Sequence, residues 1–496
     1  MSHNPVPPPT TVFGTLRRLG PGLIIAGAIV GSGELVATTK VGAEAGFWLL
    51  WLIIIGCVVK VFTQIEFGRH TIVHSETPMQ ALDSVPGPRY KVGWILWYWV
   101  GMMGLLVTMQ GGVLGGVGQA LAIAYPLTDD GAAYNALQEE RIATQIAYAQ
   151  FNPAAAVERA TLSAELTAVE TRIAEAPQPY DTDLWATALA LLTALVLYFG
   201  RYRLIQTVST LCVGLFTLVT IATFVGLQNT EYAVTGAQIA QGLQFRLPPA
   251  VADLNPLTTA LAAFGLIGIG AGELIMYPYW CLEQGYARHT GPQDDSAAWL
   301  ARAKGWIRVL HVDAWLSMAV YTGTTILFFL MGASVLGQSG LNPAGSDMVR
   351  TLAEMYAPVF GDWAVSVFVF GAFVVLYSTF FVNAAGNARM ASDALVQFGV
   401  LPSDEARQRW VQRLSVIWPL VSLALYLLVQ APVAMILAGG LAQAIMLPIL
   451  GGAALFFRHR RSHPNLRPGW LWDICLLLSC SAFLIVAVWS LVNLFG

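Results

Sequence analysis

The residues best placed to do chemistry in this chain stand in two copies of one short phrase, Gly31-Ser32-Gly33-Glu34-Leu35 and Gly270-Ala271-Gly272-Glu273-Leu274. Each copy lies inside a long apolar stretch, where an ionisable side chain is costly unless it meets a polar cavity or a partner. Paired glycines weaken a helix and bare its backbone. If the helix unwinds there, Glu34 and Glu273 join the freed carbonyls of Gly31, Gly33, Gly270 or Gly272 in an all-oxygen shell, with Ser32 in the same turn. Such a shell suits a hard divalent cation such as Mg²⁺ or Mn²⁺ and offers no thiolate or thioether for softer metals. Two plainer roles stay open. Each glutamate can cap the half-helix that follows it, or the two carboxylates can share one proton.

Further polar residues fall in apolar surroundings. Tyr277, Tyr279 and Trp280 surround Pro278, which frees a carbonyl one turn earlier; these aromatics either pack or hold an organic cation by its charge. Asn383 and Asn387 are one helical turn apart and share a face, and Gln443 follows the pair Gly439-Gly440. All three read as interhelical hydrogen-bonding groups or as ligands. Glu66 and Arg69 have the spacing of an i,i+3 pair, for an interfacial ion pair or a gate. Lys60 lies deeper in the same stretch and needs a carboxylate partner. His311 and Asp313 suit an interfacial polar pair or a proton relay.

The elements that position these residues follow from composition. Of 496 residues 56% are hydrophobic and 11% charged, whereas soluble domains carry about 25% charged residues. The chain therefore reads as a membrane protein, with the lipid bilayer as its first partner. The balance of 26 basic and 29 acidic residues leaves no nucleic-acid footprint. The five cysteines all fall in apolar segments without metal-ligand spacing, as buried small hydrophobes. No signal-peptide pattern precedes the first apolar run, and residues 1–13 read as a disordered, Pro-rich tail.

A bilayer crossing takes about 20 apolar residues, and that ruler marks eleven spans, near 20–45, 47–70, 92–125, 184–200, 204–228, 256–284, 306–335, 358–392, 411–430, 432–456 and 470–495. The first, sixth and eighth are interrupted by glycine or small polar residues. Arg17, Arg18 and the even connections hold most of the Lys and Arg, including Arg201 and Arg203, which places the N-terminus inside and the C-terminus outside. A bacterial inner membrane is the expected location. Five spans separate the start of one phrase from the start of the other, so spans 1 and 6 enter from opposite faces. That is the mark of an inverted repeat, and broken helices at matching places point to a binding site. The expected fold is all-α and polytopic: a LeuT-type 5+5 inverted repeat with discontinuous spans 1 and 6, comprising residues 14–228 and 256–456, plus an eleventh span at 470–496. Residues 127–183 form an extracytoplasmic insertion, acidic by ten residues to three, with two antiparallel helices turning at Asn152-Pro153. Leu162, Leu166, Val169 and Ile173 recur at helical spacing and predict one buried face. The insertion serves as a cap or draws cations toward the mouth.

Several motifs resemble the natural resistance-associated macrophage protein (NRAMP) family of metal-ion transporters: Gly20-Pro21-Gly22 at the start of span 1, Gly42-Ala43-Glu44-Ala45-Gly46-Phe47-Trp48-Leu49-Leu50-Trp51 at its end, Gly200-Arg201-Tyr202-Arg203 between spans 4 and 5, and Ser378-Thr379 with Ala385-Gly386-Asn387 and Met390 in span 8. The resemblance implies metal-ion transport by alternating access with proton symport. The ion site departs from that family. Gly31-Ser32-Gly33-Glu34 stands where its members carry Asp-Pro-Gly-Asn, and Gly272-Glu273-Leu274 where they carry Met-Pro-His. Gln110-Gly111-Gly112 replaces the proton-carrying acid of span 3. The expectation is a divergent secondary transporter of an inorganic cation of the Mg²⁺, Mn²⁺ or Fe²⁺ type, with Glu34 and Glu273 as metal ligands. A transporter of a small organic cation or amine and a non-transporting membrane sensor are the rivals. No enzyme chemistry and no resident cofactor are expected.

Overall fold

The computed structural model describes residues 5–150, 156–200, 202–249, 256–343 and 348–495. The expected turn at Asn152-Pro153, Arg201 and the first four positions of the expected tail lie outside the described residues. Ten helices among the described residues are long and apolar enough to cross a membrane. One of them, Gly33–His74, carries the second half of expected span 1 together with span 2, bent where Gly46 takes a φ of +59°. With Pro21–Ile29 counted as the first half of span 1, all eleven expected crossings have a helix.

Span 1 begins at Pro21, whose fixed φ suits the first helical turn. Its first half ends at Ile29; a wide, π-type turn over Ser32–Thr38 leads into Thr39–Ala45. Span 2 is Leu50–His74, span 3 Trp94–Ala124, span 4 Asp181–Phe199 and span 5 Tyr202–Leu227. Span 6 divides into Pro256–Leu266 and Ala271–Gln284. Its break turns on Gly268, which has a φ of +63° and stands so close to span 2 that a Cβ would lie 3.0 Å from the Cys57 Cα. Glycine alone meets both demands.

Spans 7 to 11 are Ala297–Met331, Ala364–Gln397, Asp404–Val429, Pro432–Phe456 and Trp470–Phe495. Span 8 was expected to be interrupted and is instead one continuous helix. Its Gly386 makes room for the Met276 side chain, which occupies the place a Cβ would take; the small residue serves packing. The same device joins spans 6 and 10, where Gly265 lies against the Gly440 carbonyl, and spans 3 and 10, where Gly439 lies against Met109. Close backbone approach at small residues is how helices associate without a hydrophobic drive.

Three outlying parts complete the chain. The insertion forms two helices, Asp129–Gln150 and Ala156–Glu175, with Val169 buried and Leu162, Leu166 and Ile173 half-buried on the shared face. Asn135 anchors it by donating to the Ala122 carbonyl at the end of span 3, 3.0 Å away. The expected disordered tail is docked from Pro5 onward: the Val6 amide donates to the His289 carbonyl at 3.0 Å, and the Val6 carbonyl accepts from Trp306 Nε1 at 3.0 Å. Span 11 packs on spans 2 and 10 and brings Trp472 against Glu66.

Candidate functional site at the two broken spans

The two glutamates occupy matching places in their helices and different surroundings. Glu34 is fully buried in the first turn after the break in span 1. Its carboxylate accepts from the Gly31 amide at 3.3 Å and from Thr325 Oγ1 of span 7 at 3.2 Å. The cap role is thus realised here, since an exposed N-terminal amide finds an acceptor three residues on. The side chain of Ser32 lies outside the described residues.

Glu273 stands in the first turn of the second half of span 6, where unpaired amides and the helix dipole favour a carboxylate. It lines a small cavity with Gly33, Met109, Gly268, Asn383 and Gln443. The cavity measures about 10 Å³ to the centre of a water-sized sphere, which is room for roughly one water molecule. Asn383 of span 8 lies within hydrogen-bonding reach of Glu273 while its own carbonyl oxygen is buried without a partner. Gln443 of span 10 accepts from the Gly272 amide at 3.1 Å. Glu34 does not line this cavity. The broken spans are brought together, but their acids are divided between two polar environments.

The carbonyls expected to serve as ligands are already engaged. Gly31 and Gly270 accept the amides of Leu35 and Leu274 at 2.8 and 2.9 Å, and Gly33 accepts Thr38 Oγ1 at 2.9 Å. Gly272 lies inside the helix that starts at Ala271. Other carbonyls are freed by the breaks, and neighbours satisfy them. At the end of span 1's first half, Ser378 Oγ reaches the Gly27 carbonyl at 3.0 Å, while Ser209 Oγ lies 3.3 Å from the Leu23 and Ile24 carbonyls within that half-helix. Beside them Thr379 fills the place of a Cβ at Gly31. At the end of span 6's first half the donor is charged: Lys60 Nζ donates to the Phe264 and Ile267 carbonyls at 2.5 and 2.6 Å. The carboxylate partner expected for Lys60 is replaced by backbone, with Glu34 and Glu273 as its acidic neighbours.

The remaining candidates separate from the cavity. Tyr277 points away and donates to Asp313 Oδ2 at 3.0 Å. Asp313 also accepts the Gly20 and Gly22 amides at 3.0 and 2.6 Å, so it caps the start of span 1 from span 7. The expected pairing of His311 with Asp313 does not form: the His311 ring lies 3.3 Å from Arg69 Nη2 and packs on Trp472. Glu66 and Arg69 are paired as expected, at 3.5 Å, yet both are buried under span 11, where Glu66 accepts Trp472 Nε1 at 2.6 Å. Asn387 is buried one turn beyond Asn383 and outside the cavity lining. A larger cavity, about 260 Å³, opens at the base of the insertion, lined by Gln119, Asn135, Asp183, Arg350 and Tyr426; it lies apart from both breaks.

Two neighbours of the acids were missed in the sequence, one at each break. Met109 brings a thioether to a site read as all-oxygen, and Thr325 completes the Glu34 environment from another span. Nothing in the spacing of either marks it, because each is an ordinary residue of an apolar helix. Among the described residues no three His, Cys, Asp or Glu side chains gather to hold a metal ion. A cation in the cavity would therefore meet one carboxylate, the amide oxygens of Asn383 and Gln443, and the Met109 sulfur.

Neither a family model nor a curated protein sequence matches the chain. Solved structures do. A mutant of the Eremococcus coleocola manganese transporter superposes with a TM-score of 0.65 at 15% identity, covering 100% of this chain and 89% of that one. The same transporter in complex with an aromatic bis-isothiourea substituted compound gives 0.61 at 15% identity, over 100% and 91%. MhsT in complex with L-phenylalanine gives 0.53 at 14% identity, over 98% and 99%. At these identities the likeness concerns the fold. The eleven helical crossings and the breaks in spans 1 and 6 agree with it, and the chain is an integral membrane protein with the LeuT-type transporter fold.

Proposed function

We propose that this protein is a secondary-active transporter of a small cation, in the first place a divalent metal ion, working by alternating access around the breaks in spans 1 and 6. The observation that carries the reading is the cavity at the second break, where the Glu273 carboxylate stands beside an Asn383 carbonyl oxygen that has no partner. A buried acceptor without a donor is costly, and a cation or a donor-bearing group entering the cavity relieves that cost. Oxygen donors suit a hard ion, and the adjacent Met109 sulfur extends the range toward Mn²⁺ or Fe²⁺. The fold shared with a manganese transporter and the NRAMP-like motifs support the metal reading. Lys and Arg in the even connections support an N-terminus inside and a C-terminus outside, and proton symport comes from the resemblance alone.

A second reading, a small organic solute bearing an amine, is favoured by Lys60. With an ammonium already set among the two carboxylates, the site has less excess negative charge for a divalent ion. One experiment separates the readings. Purified protein in liposomes loaded with a divalent-sensitive dye takes up Mn²⁺ or Mg²⁺ on the first reading, and Glu273→Gln abolishes the signal. Uptake of labelled amines without any dye response moves the assignment to the organic solute, and no uptake of either class overturns transport.

A further inference from the structure

Lys60 is a fully buried ammonium in the middle of span 2, and its bonded partners are unusual for such a charge. Its two hydrogen bonds, 2.5 and 2.6 Å, run to the Phe264 and Ile267 carbonyls, where the first half of span 6 stops. The Phe264 ring lies 4.8 Å from Nζ. Among the described residues no carboxylate forms an ion pair with it; Glu34 and Glu273 act on its charge from farther off. The end of a half-helix collects the negative pole of the helix dipole on carbonyls that have lost their amides. In transporters with broken spans, such carbonyls are where a sodium ion or proton is held. The matching end in span 1 is met by the neutral hydroxyls of Ser378 and Thr379, so among the described residues a full positive charge is found at one break only. The reach is fixed by packing, since Gly268 brings the break against Cys57, one helical turn from Lys60.

We propose that the Lys60 ammonium is a tethered cation: it fills the monovalent-cation position at the carbonyl end of span 6's first half, so that transport needs no sodium or potassium ion there. The inference rests on the transport reading and adds the identity of the charge that holds the break together. It also gives the residue a task distinct from that of Glu273, which faces the cargo.

The test begins with the unaltered protein. Uptake in liposomes with N-methylglucamine as the sole monovalent cation on both sides should equal uptake in sodium or potassium; a strict requirement for either ion overturns the proposal. Lys60→Met keeps the volume and removes the charge. It should lower uptake roughly tenfold or impose a sodium or potassium requirement, whereas wild-type uptake without those ions overturns the proposal. Lys60→Ala leaves a gap with the shape of propylammonium, and that amine should raise its melting temperature by about 2 °C at saturation without affecting the parent protein. Absence of that selective shift in a folded variant also counts against the tethered cation. If the parent protein moves no cargo at all, the transport reading fails, and the amine-dependent stability of Lys60→Ala still decides whether this position binds a monovalent cation.

Discussion

The two broken spans carry nearly the same five-residue phrase and have been put to different uses. At the span 1 break, Glu34 turns back onto its own helix start and onto Thr325, and the loose carbonyls of Gly27 and Val30 meet the hydroxyls of Ser378 and Thr379 from span 8. The Glu34 carboxylate and the Gly27 carbonyl there both have internal partners. At the span 6 break, Glu273 borders a cavity, Asn383 keeps an unpartnered oxygen, and the loose carbonyls hold a lysine. The first break is satisfied by the protein itself; the second is left with capacity for something else. A shared motif thus reports where a helix breaks, while the neighbouring spans decide whether the broken turn is a joint or a site.

The sharpest way to break this comparison is to neutralise each acid in turn. Glu273→Gln should reduce cation uptake about 100-fold, equivalent to roughly 2.7 kcal/mol of lost stabilisation, with the melting temperature little changed. Glu34→Gln should show the reverse balance: uptake down only about tenfold, and folding weakened by about 1–3 kcal/mol because a buried acceptor arrangement is disturbed. Equal effects in uptake and melting measurements would erase the distinction between joint and site.

The glycines offer a second test of the same contrast. Gly31→Ala meets the Thr379 side chain of a packed helix and should destabilise by about 1–3 kcal/mol, recovered in the pair Gly31→Ala with Thr379→Gly. Gly270→Ala meets the flexible ends of Gln443 and Glu273. It should fold and fail mainly in uptake, so the two variants diverge when expression and transport are measured together.

Asp313 sharpens the comparison from outside it, because it caps span 1 and bonds Tyr277 of span 6 without touching the cavity. Asp313→Asn should cost about 2 kcal/mol of stability while leaving ion selectivity as it was, read from competition between Mn²⁺ and Mg²⁺. Met109→Leu should leave stability nearly unchanged and shift that competition a few-fold toward Mg²⁺.

The smallest effect belongs to the far end of span 2. Glu76, beyond that span, bonds His70 and pairs with Arg461 at 2.6 Å. The His70 hydrogen bond, with the charges of His70 and Arg461, holds its carboxyl below the ordinary glutamate range. A lowered folded-state value means the contribution is full above the unfolded glutamate range and fades as pH falls through the lowered one. Melting curves of the parent protein and Glu76→Gln should therefore differ slightly near neutrality and converge in acid.

Much of this architecture was legible in the chain because apolar length and glycine placement act locally. A run of apolar residues must cross or be buried, and the glycine pairs Gly31 with Gly33 and Gly270 with Gly272 weaken a helix wherever their neighbours lie, so the spans and the two breaks could be read from residue order; that Gly268 carries the left-handed turn could not. The Glu66–Arg69 pair was legible for the same reason, being one helical turn apart. The expected interruption of span 8 failed because glycine is ambiguous: the same residue breaks one helix and lets Met276 into another. The insertion's buried face followed from the spacing of Leu162, Leu166, Val169 and Ile173.

What only the tertiary structure decided is which distant groups meet the loose ends. Ser378 and Thr379 at one carbonyl terminus, Lys60 at the other, Met109 in the cavity and Asp313 at the start of span 1 all come from spans far away in the chain. Sequence fixes the backbone groups a broken helix must leave unpaired, because hydrogen bonding within a span is local. Their partners are chosen by how helices pack against one another, a property of the whole bundle that leaves no spacing signal in any single span.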